Sequence, residues 1–179
     1  MIFSSSEIIE TEKKGIDLEI ILKSYTEQDA AQVTKLWNEI TEAGDSFPGD
    51  KLLNEAEANV MFLSQTETVC AWEGKRLLGF YILHPNHVGR CSHTANASYG
   101  VQKDCRGKGI GRMLVLDSLK KTKEHGFLGL QFNAVVSTNA AAIELYKKLG
   151  FQFVGTIPKG YRLKDDSFVD LFLYYKSVV

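Results

Sequence analysis

The chain has 179 residues, 44% of them hydrophobic and 24% charged, enough to bury one core and too few for two comfortable ones. Its 21 basic and 22 acidic residues leave a formal charge of -1, which excludes a global field that would draw in nucleic acid or an anionic membrane surface. The longest strongly apolar stretch, Leu77 to Leu83, is interrupted by Gly79 and falls far short of the ~20 residues a spanning helix needs, so no membrane partner is expected.

Residues 1–16 show no periodicity and read as an N-terminal extension to a single domain over 17–179. They hold no basic segment followed by an apolar run, so no secretory signal is expected. Three widely spaced cysteines, Cys70, Cys91 and Cys105, point to a reduced, cytoplasmic setting and not to a disulfide scaffold. Cys105 has basic neighbours in Lys103 and Arg106 but no histidine nearby in sequence, which favours a structural thiol over a nucleophile.

A β-prone run at 18–25 predicts a strand, and Thr26 with Asp29 three residues later marks the start of a helix through DAAQVTKLWNEI. The loop EAGDSFPGD separates this from a second helical stretch at 51–64, and a loop of that length commonly borders a pocket. Strands are predicted at 68–72, 76–83 and 94–101, the first two joined at Glu73 and Gly74 as a hairpin. A helix at 109–125, a strand at 130–136, a helix at 139–149 stopped by Gly150, and strands at 151–156 and 168–176 complete the chain. Early hairpins and later crossover helices predict an α/β (α+β) architecture with a mixed sheet and helices on both faces.

The segment VQKDCRGKGIGR follows a strand and opens a helix. Gly107, Gly109 and Gly111 let the backbone turn tightly and leave its amides accessible, and with the positive end of the helix these form a concave anion site. Lys103, Arg106, Lys108 and Arg112 add local charge. A Walker A string is absent, and Arg112 stands where a dinucleotide fingerprint needs its third glycine.

What remains, Arg106, two residues, Gly109, one residue, Gly111, resembles motif A of the GCN5-related N-acetyltransferases, and the order of elements from about 18 to 175 resembles that family too. The resemblance implies the GNAT fold, a mixed and mostly antiparallel sheet of six to seven strands with about four helices. It implies acetyl-coenzyme A as cosubstrate, with the pyrophosphate on the main chain of Arg106, Gly107, Lys108, Gly109, Ile110, Gly111 and Arg112 and the acetyl carbonyl polarised by a backbone amide near Val101. No metal is expected: His84, His87 and His93 lack a completing carboxylate or cysteine set, and a surface-loop or acceptor-site role is preferred for them.

STNAAAIELYKKLGF resembles motif B of the same family. Ala142, Leu145, Tyr146 and Leu149 share one helical stripe, a spacing that a core tyrosine satisfies equally well. The resemblance implies that Tyr146 is the general acid for the departing thiolate, a transfer that a thiol near ~8.5 and a phenol near ~10 permit. Asn139 reads as a helix N-cap, and the resemblance adds a bond to the pantetheine arm.

Alternation puts Thr94, Asn96 and Ser98 on one face of their strand and Gln131, Asn133 and Val135 on one face of theirs. If the two strands are neighbours, as the family fold implies, Asn96 and Asn133 converge near the thioester. SHTANASYGV, GDSFP and the C-terminal segment look like the branch holding the phosphinothricin-type and yeast proline-analogue acetyltransferases, which implies a small amine, an amino acid or its analogue, as partner. Phosphinothricin-type members carry glutamate where Asn96 aligns, and asparagine accepts no proton at neutral pH. The base is therefore open among Glu42, Asp45, a water relayed by asparagines, or none. The loop 43–50 and a turn at 157–167 are expected to wall the acceptor. A non-catalytic coenzyme sensor and a protein or peptide acetyltransferase are the rival readings, and homodimer formation is left undecided by the residues.

Overall fold

The computed structural model describes residues 19–179, so the extension expected at 1–16 lies outside the described residues. Strand β1 (Ile20–Ser24) is followed by a short 3-10 turn and helix α1 (Ala30–Ala43). The Thr26 amide and hydroxyl both donate to Asp29 Oδ2, at 2.9 and 3.0 Å, which is the predicted helix start. Gly44 ends α1 in the left-handed conformation, φ 64°.

Helix α2 is shorter than the predicted stretch and spans Glu55–Leu63. Asn54 accepts from the Glu57 amide at 2.9 Å and the Glu57 carboxylate accepts from the Asn54 amide at 3.1 Å, a reciprocal cap that sets the boundary. Lys51, predicted inside the helix, lies before it and pairs with Glu57 at 2.8 Å.

The remaining elements are β2 (Glu67–Glu73), β3 (Arg76–Pro85), β4 (Thr94–Val101), α3 (Ile110–Glu124), β5 (Gly129–Val136), α4 (Ala140–Lys148), β6 (Gln152–Arg162) and β7 (Phe168–Ser177). They form one seven-stranded sheet in the order β1-β2-β3-β4-β5-β7-β6. Every neighbouring pair is antiparallel except β4 with β5. This is the mixed α/β sheet expected from the pattern of hairpins and crossovers.

Alternation along β2 and β3 shows why both read as apolar. Cys70, Trp72, Phe80 and Ile82 pack under α1 and α2 with Val33, Leu36 and Phe62, whereas Val69, Ala71, Tyr81 and Leu83 face α3 and its partners Leu114 and Val115. A strand covered on both faces has no solvent side to encode.

Strand β6 corrects the expected turn at 157–167. It continues to Arg162, with Tyr161 opposite Val169 and Arg162 opposite Phe168. Pro158 is tolerated because β6 is the edge of the sheet, where a missing amide breaks no ladder bond on the outer side. A register shift between Ile157 and Tyr161, with Lys159 at φ 53°, absorbs the irregularity.

Strands β4 and β5 pair only at Thr94 with Gly129 and Ala95 with Leu130, then diverge. Further along, β5 bulges between Phe132 and Val135 against β7. That splay opens the middle of the sheet.

Candidate active site

The phosphate-type loop is built by backbone conformation. After Val101 a 3-10 turn over Lys103–Cys105 leads to Gly107 at φ 76° and Gly109 at φ 85°, both left-handed. Gly109 caps α3, whose first bond runs from the Met113 amide to the Gly109 carbonyl at 3.0 Å. The amides of Gly107, Gly109, Ile110, Gly111 and Arg112 meet no acceptor among the described residues. Free amides at a helix N-terminus favour an anion.

Side chains divide the loop further. Arg106, Gly107, Gly109, Gly111 and Arg112 line a cleft of about 1130 Å³. Lys108 is exposed and outside that lining, and Ile110 is 2% exposed with its side chain in the core beside Leu114, so it offers the site only main chain. Cys105 lines the cleft but donates to Asp104 Oδ1 at 3.6 Å, and burial pushes its thiol up, which holds it as a thiol.

From the loop the cleft runs between β4 and β5, past Val101, Tyr99, Phe132, Asn139 and Tyr146, to Asn96, Asn133 and the segment Asp45 to Pro48. Asn139 caps α4, accepting from the Ala142 amide at 3.2 Å, and its place in the lining leaves it beside the cleft as well. Tyr146 is at once core and cleft wall. Its ring lies 4.4 Å from Phe132, 5.5 Å from Phe151 and 5.9 Å from Tyr174 between centroids, and it is 8% exposed. Burial raises the pKa of its phenol, so the hydroxyl keeps its proton at neutral pH.

At the far end Asn96 and Asn133 both line the cleft, as expected from neighbouring strands. Gln131 Nε2 donates to Asn133 Oδ1 at 2.8 Å, and Asn133 Nδ2 donates to Asn86 Oδ1. Val135 departs from the expected shared face with Gln131 and Asn133. The bulge turns it into the core with Leu130 and Phe132.

The structure separates the remaining candidates and corrects the expected acceptor wall at 157–167. Glu42 is exposed and outside the cleft lining, whereas Asp45 lies in it: α1 ends at Gly44 and the chain then turns inward. No residue of 157–167 lines the cleft, since those residues are drawn into the β6–β7 hairpin; Tyr161 instead braces the loop by donating to the Phe47 carbonyl at 2.8 Å. His84, His87 and His93 stand outside the lining, and His84 Nδ1 and His93 Nδ1 lie 2.9 and 3.1 Å from the backbone carbonyls of Pro85 and Arg90.

Sequence reasoning gave Tyr99 no role. It lines the cleft, and its hydroxyl lies 2.6 Å from Ser118 Oγ. Its place on the same strand face as Val101 was the available signal. Glu144 and Lys148 were likewise missed, and they project from the α4 face beside Leu145.

A sheet splayed around a loop of free amides defines an acyl-coenzyme A transferase site, and comparison with known proteins gives the family. The model of the Acetyltransferase (GNAT) family matches residues 30–151. N-acetyltransferase aca1 of Schizosaccharomyces pombe is 30% identical over 167 residues, covering 83% of this chain and 79% of that protein. The L-methionine sulfoximine/L-methionine sulfone acetyltransferase of Pseudomonas aeruginosa is 36% identical over 66 residues, 37% of this chain and 38% of that protein. The structure of a GCN5-related N-acetyltransferase from Kribbella flavida matches with a TM-score of 0.82 at 29% identity, over 88% of this chain and 97% of that one. This chain belongs to the GNAT family of acetyltransferases and is an acetyl-coenzyme A-dependent N-acetyltransferase.

Proposed function

We propose that this protein acetylates a small amine, an amino acid or amino-acid analogue, by direct transfer from acetyl-coenzyme A within a ternary complex. One observation carries the reading: the unpaired amides of Gly107, Gly109, Gly111 and Arg112 border the same cleft that Tyr146 lines. The pyrophosphate lies on those amides, with Arg106 and Arg112 adding charge, Asn139 bonds the pantetheine arm, and main chain near Val101 polarises the acetyl carbonyl.

The neutral amine nitrogen attacks the thioester carbonyl, a C–N bond forms and the C–S bond breaks. Tyr146 gives its proton to the departing thiolate, and the proton shed by the nitrogen restores it through solvent. Asp45 is the carboxylate on the acceptor side of the cleft and takes the proton of the arriving ammonium, while Asn96 and Asn133 orient the molecule. The name of the Pseudomonas aeruginosa relative supports an amino-acid analogue as acceptor. Three free cysteines are in keeping with a cytoplasmic setting for this work.

Release of free coenzyme A thiol with a panel of amino acids, their analogues, peptide amines and polyamines tests the reading. Thiol release with free amino acids or analogues is expected. Tight binding of acetyl-coenzyme A without release on any amine would make the chain a sensor, and release on peptide amines alone would make it a protein acetyltransferase.

A further inference from the structure

We infer that Asn86, which lies outside the cleft lining, is a positioning residue that sets which way the Asn133 carboxamide faces the acceptor; the functional half of this rests on the acyl-transfer reading above. Three carboxamides run head to tail. Gln131 donates to Asn133 at 2.8 Å and Asn133 donates to Asn86, and of the three only Asn133 lines the cleft.

Each member is held from a different direction. Gln131 and Asn133 stand two apart on β5 and so share a face of the strand. Asn86 follows directly after β3, where its backbone amide donates to the Thr94 carbonyl at 2.7 Å, tying it to the first residue of β4. The chain of amides therefore bridges β5 to the β3–β4 connection beside the point where β4 and β5 part.

The chain also has a direction. A carboxamide offers two hydrogens and an oxygen with two lone pairs, and Asn133 spends one hydrogen on Asn86 and one lone pair on its contact from Gln131. One N–H and one lone pair remain for a ligand, and where they point depends on the two neighbours. Turning Asn133 over alone would set its nitrogen against Gln131 Nε2 and its oxygen against Asn86 Oδ1, donor against donor and acceptor against acceptor. Reversing Asn133 therefore requires Gln131 and Asn86 to turn with it.

Asn86 is a costly choice for a structural residue alone. Its Nδ2 is buried with no hydrogen-bond partner among the described residues. A buried donor left unpaired destabilises the fold, and a small apolar side chain would avoid that cost. What an asparagine supplies in exchange is the oxygen that takes the Asn133 hydrogen.

The test compares Asn86→Ala, which removes that oxygen, with Asn86→Asp, which keeps an acceptor oxygen and discards the unpaired donor. The acceptor is L-methionine sulfone or whichever amine of the panel releases thiol fastest. With Asn86→Ala the acceptor KM should rise about tenfold, with kcat and the acetyl-coenzyme A KM within about twofold, the pattern of lost ground-state binding. Asn86→Asp should restore the acceptor KM. In parallel, nitrogen-15 spectra of the side-chain amides should show the Asn133 signals shifted in Asn86→Ala and near their original positions in Asn86→Asp.

An unchanged acceptor KM in Asn86→Ala, even with a lowered melting temperature, would reduce Asn86 to a structural role and overturn the inference. So would equal KM increases in both variants. If no amine supports turnover, the acyl-transfer reading fails separately, and the amide spectra still decide the orientation: Asn133 signals unmoved by Asn86→Ala would refute it.

Discussion

The Tyr161 hydroxyl donates to the Phe47 carbonyl at 2.8 Å, joining the β6–β7 hairpin to a loop 114 residues earlier in the chain. Phe47 is also held by its ring, 4.7 Å from Trp37 between centroids, so the segment Asp45 to Pro48 is clamped on both sides where it lines the cleft. Burial, with Asp45 nearby, raises the pKa of the Tyr161 phenol and keeps it a donor. Tyr161→Phe preserves the ring and deletes the bond, so it should cost about 1 kcal/mol of stability. The acceptor KM should rise several-fold in steady-state titrations, with the calorimetric affinity for acetyl-coenzyme A unchanged.

Tyr146→Phe should lower kcat about 100-fold, the usual scale of a lost general acid. Calorimetry should find its acetyl-coenzyme A affinity close to the parent's, since the aromatic packing on Phe132 and Phe151 survives. Burial raises the phenol above the ordinary ~10, so the acid form persists through that range. Loss of this acid should not limit kcat at alkaline pH until above the ordinary phenol value, as a pH profile at saturating substrates would reveal.

Gly109 stands at φ 85° with no atom within 4 Å of where a Cβ would be. Gly109→Ala is therefore opposed by backbone strain alone, about 1 kcal/mol. Relief of that strain would turn the amides aside, so acetyl-coenzyme A should bind at least fivefold more weakly by calorimetry. Gly111 differs, because its added Cβ would meet only Leu145 at 3.7 Å and Val101 at 4.0 Å, and Gly111→Ala should melt at or above the parent's temperature.

Cys70 is fully buried, and burial followed by the nearby Asp29 pushes its thiol from 9.0 up to about 12. A group raised in the folded state favours folding below its unfolded value and loses that contribution as pH rises toward the folded one. Stability from this thiol is thus complete below pH 9.0 and declines between there and about 12. Urea midpoints should begin to fall above pH 9, before the tyrosines add their share. Cys70→Ala should be less stable at pH 7 yet show a shallower decline between pH 9 and 10.

Much of the fold was legible because its signals are local. The Thr26 and Asp29 cap, the Glu73 and Gly74 hairpin and the Gly150 stop are short-range patterns, and α1, β2, β3 and α4 lie where they indicate. The boundary of α2 was misjudged because a reciprocal bond between Asn54 and Glu57 outweighed the helical propensity of the residues before it. The turn expected at 157–167 failed for a different reason: the cost of Pro158 in a strand depends on whether that strand is central or at the edge, and strand order is not a local property.

The site divides along the same line. Alternating glycines before a helix pointed to the anion loop, since backbone conformation is encoded by neighbours in the chain. The helical stripe suited Tyr146 equally as a core residue, and only the resemblance to motif B singled it out. Removing Glu42 from the cleft, setting Asp45 in it and turning Val135 into the core took the turn after α1 and the bulge in β5. The bonds of Asn86 with Asn133 and of Tyr161 with Phe47 needed the whole sheet. Their partners are 47 and 114 residues apart, and only the packing of strands brings them within hydrogen-bond reach.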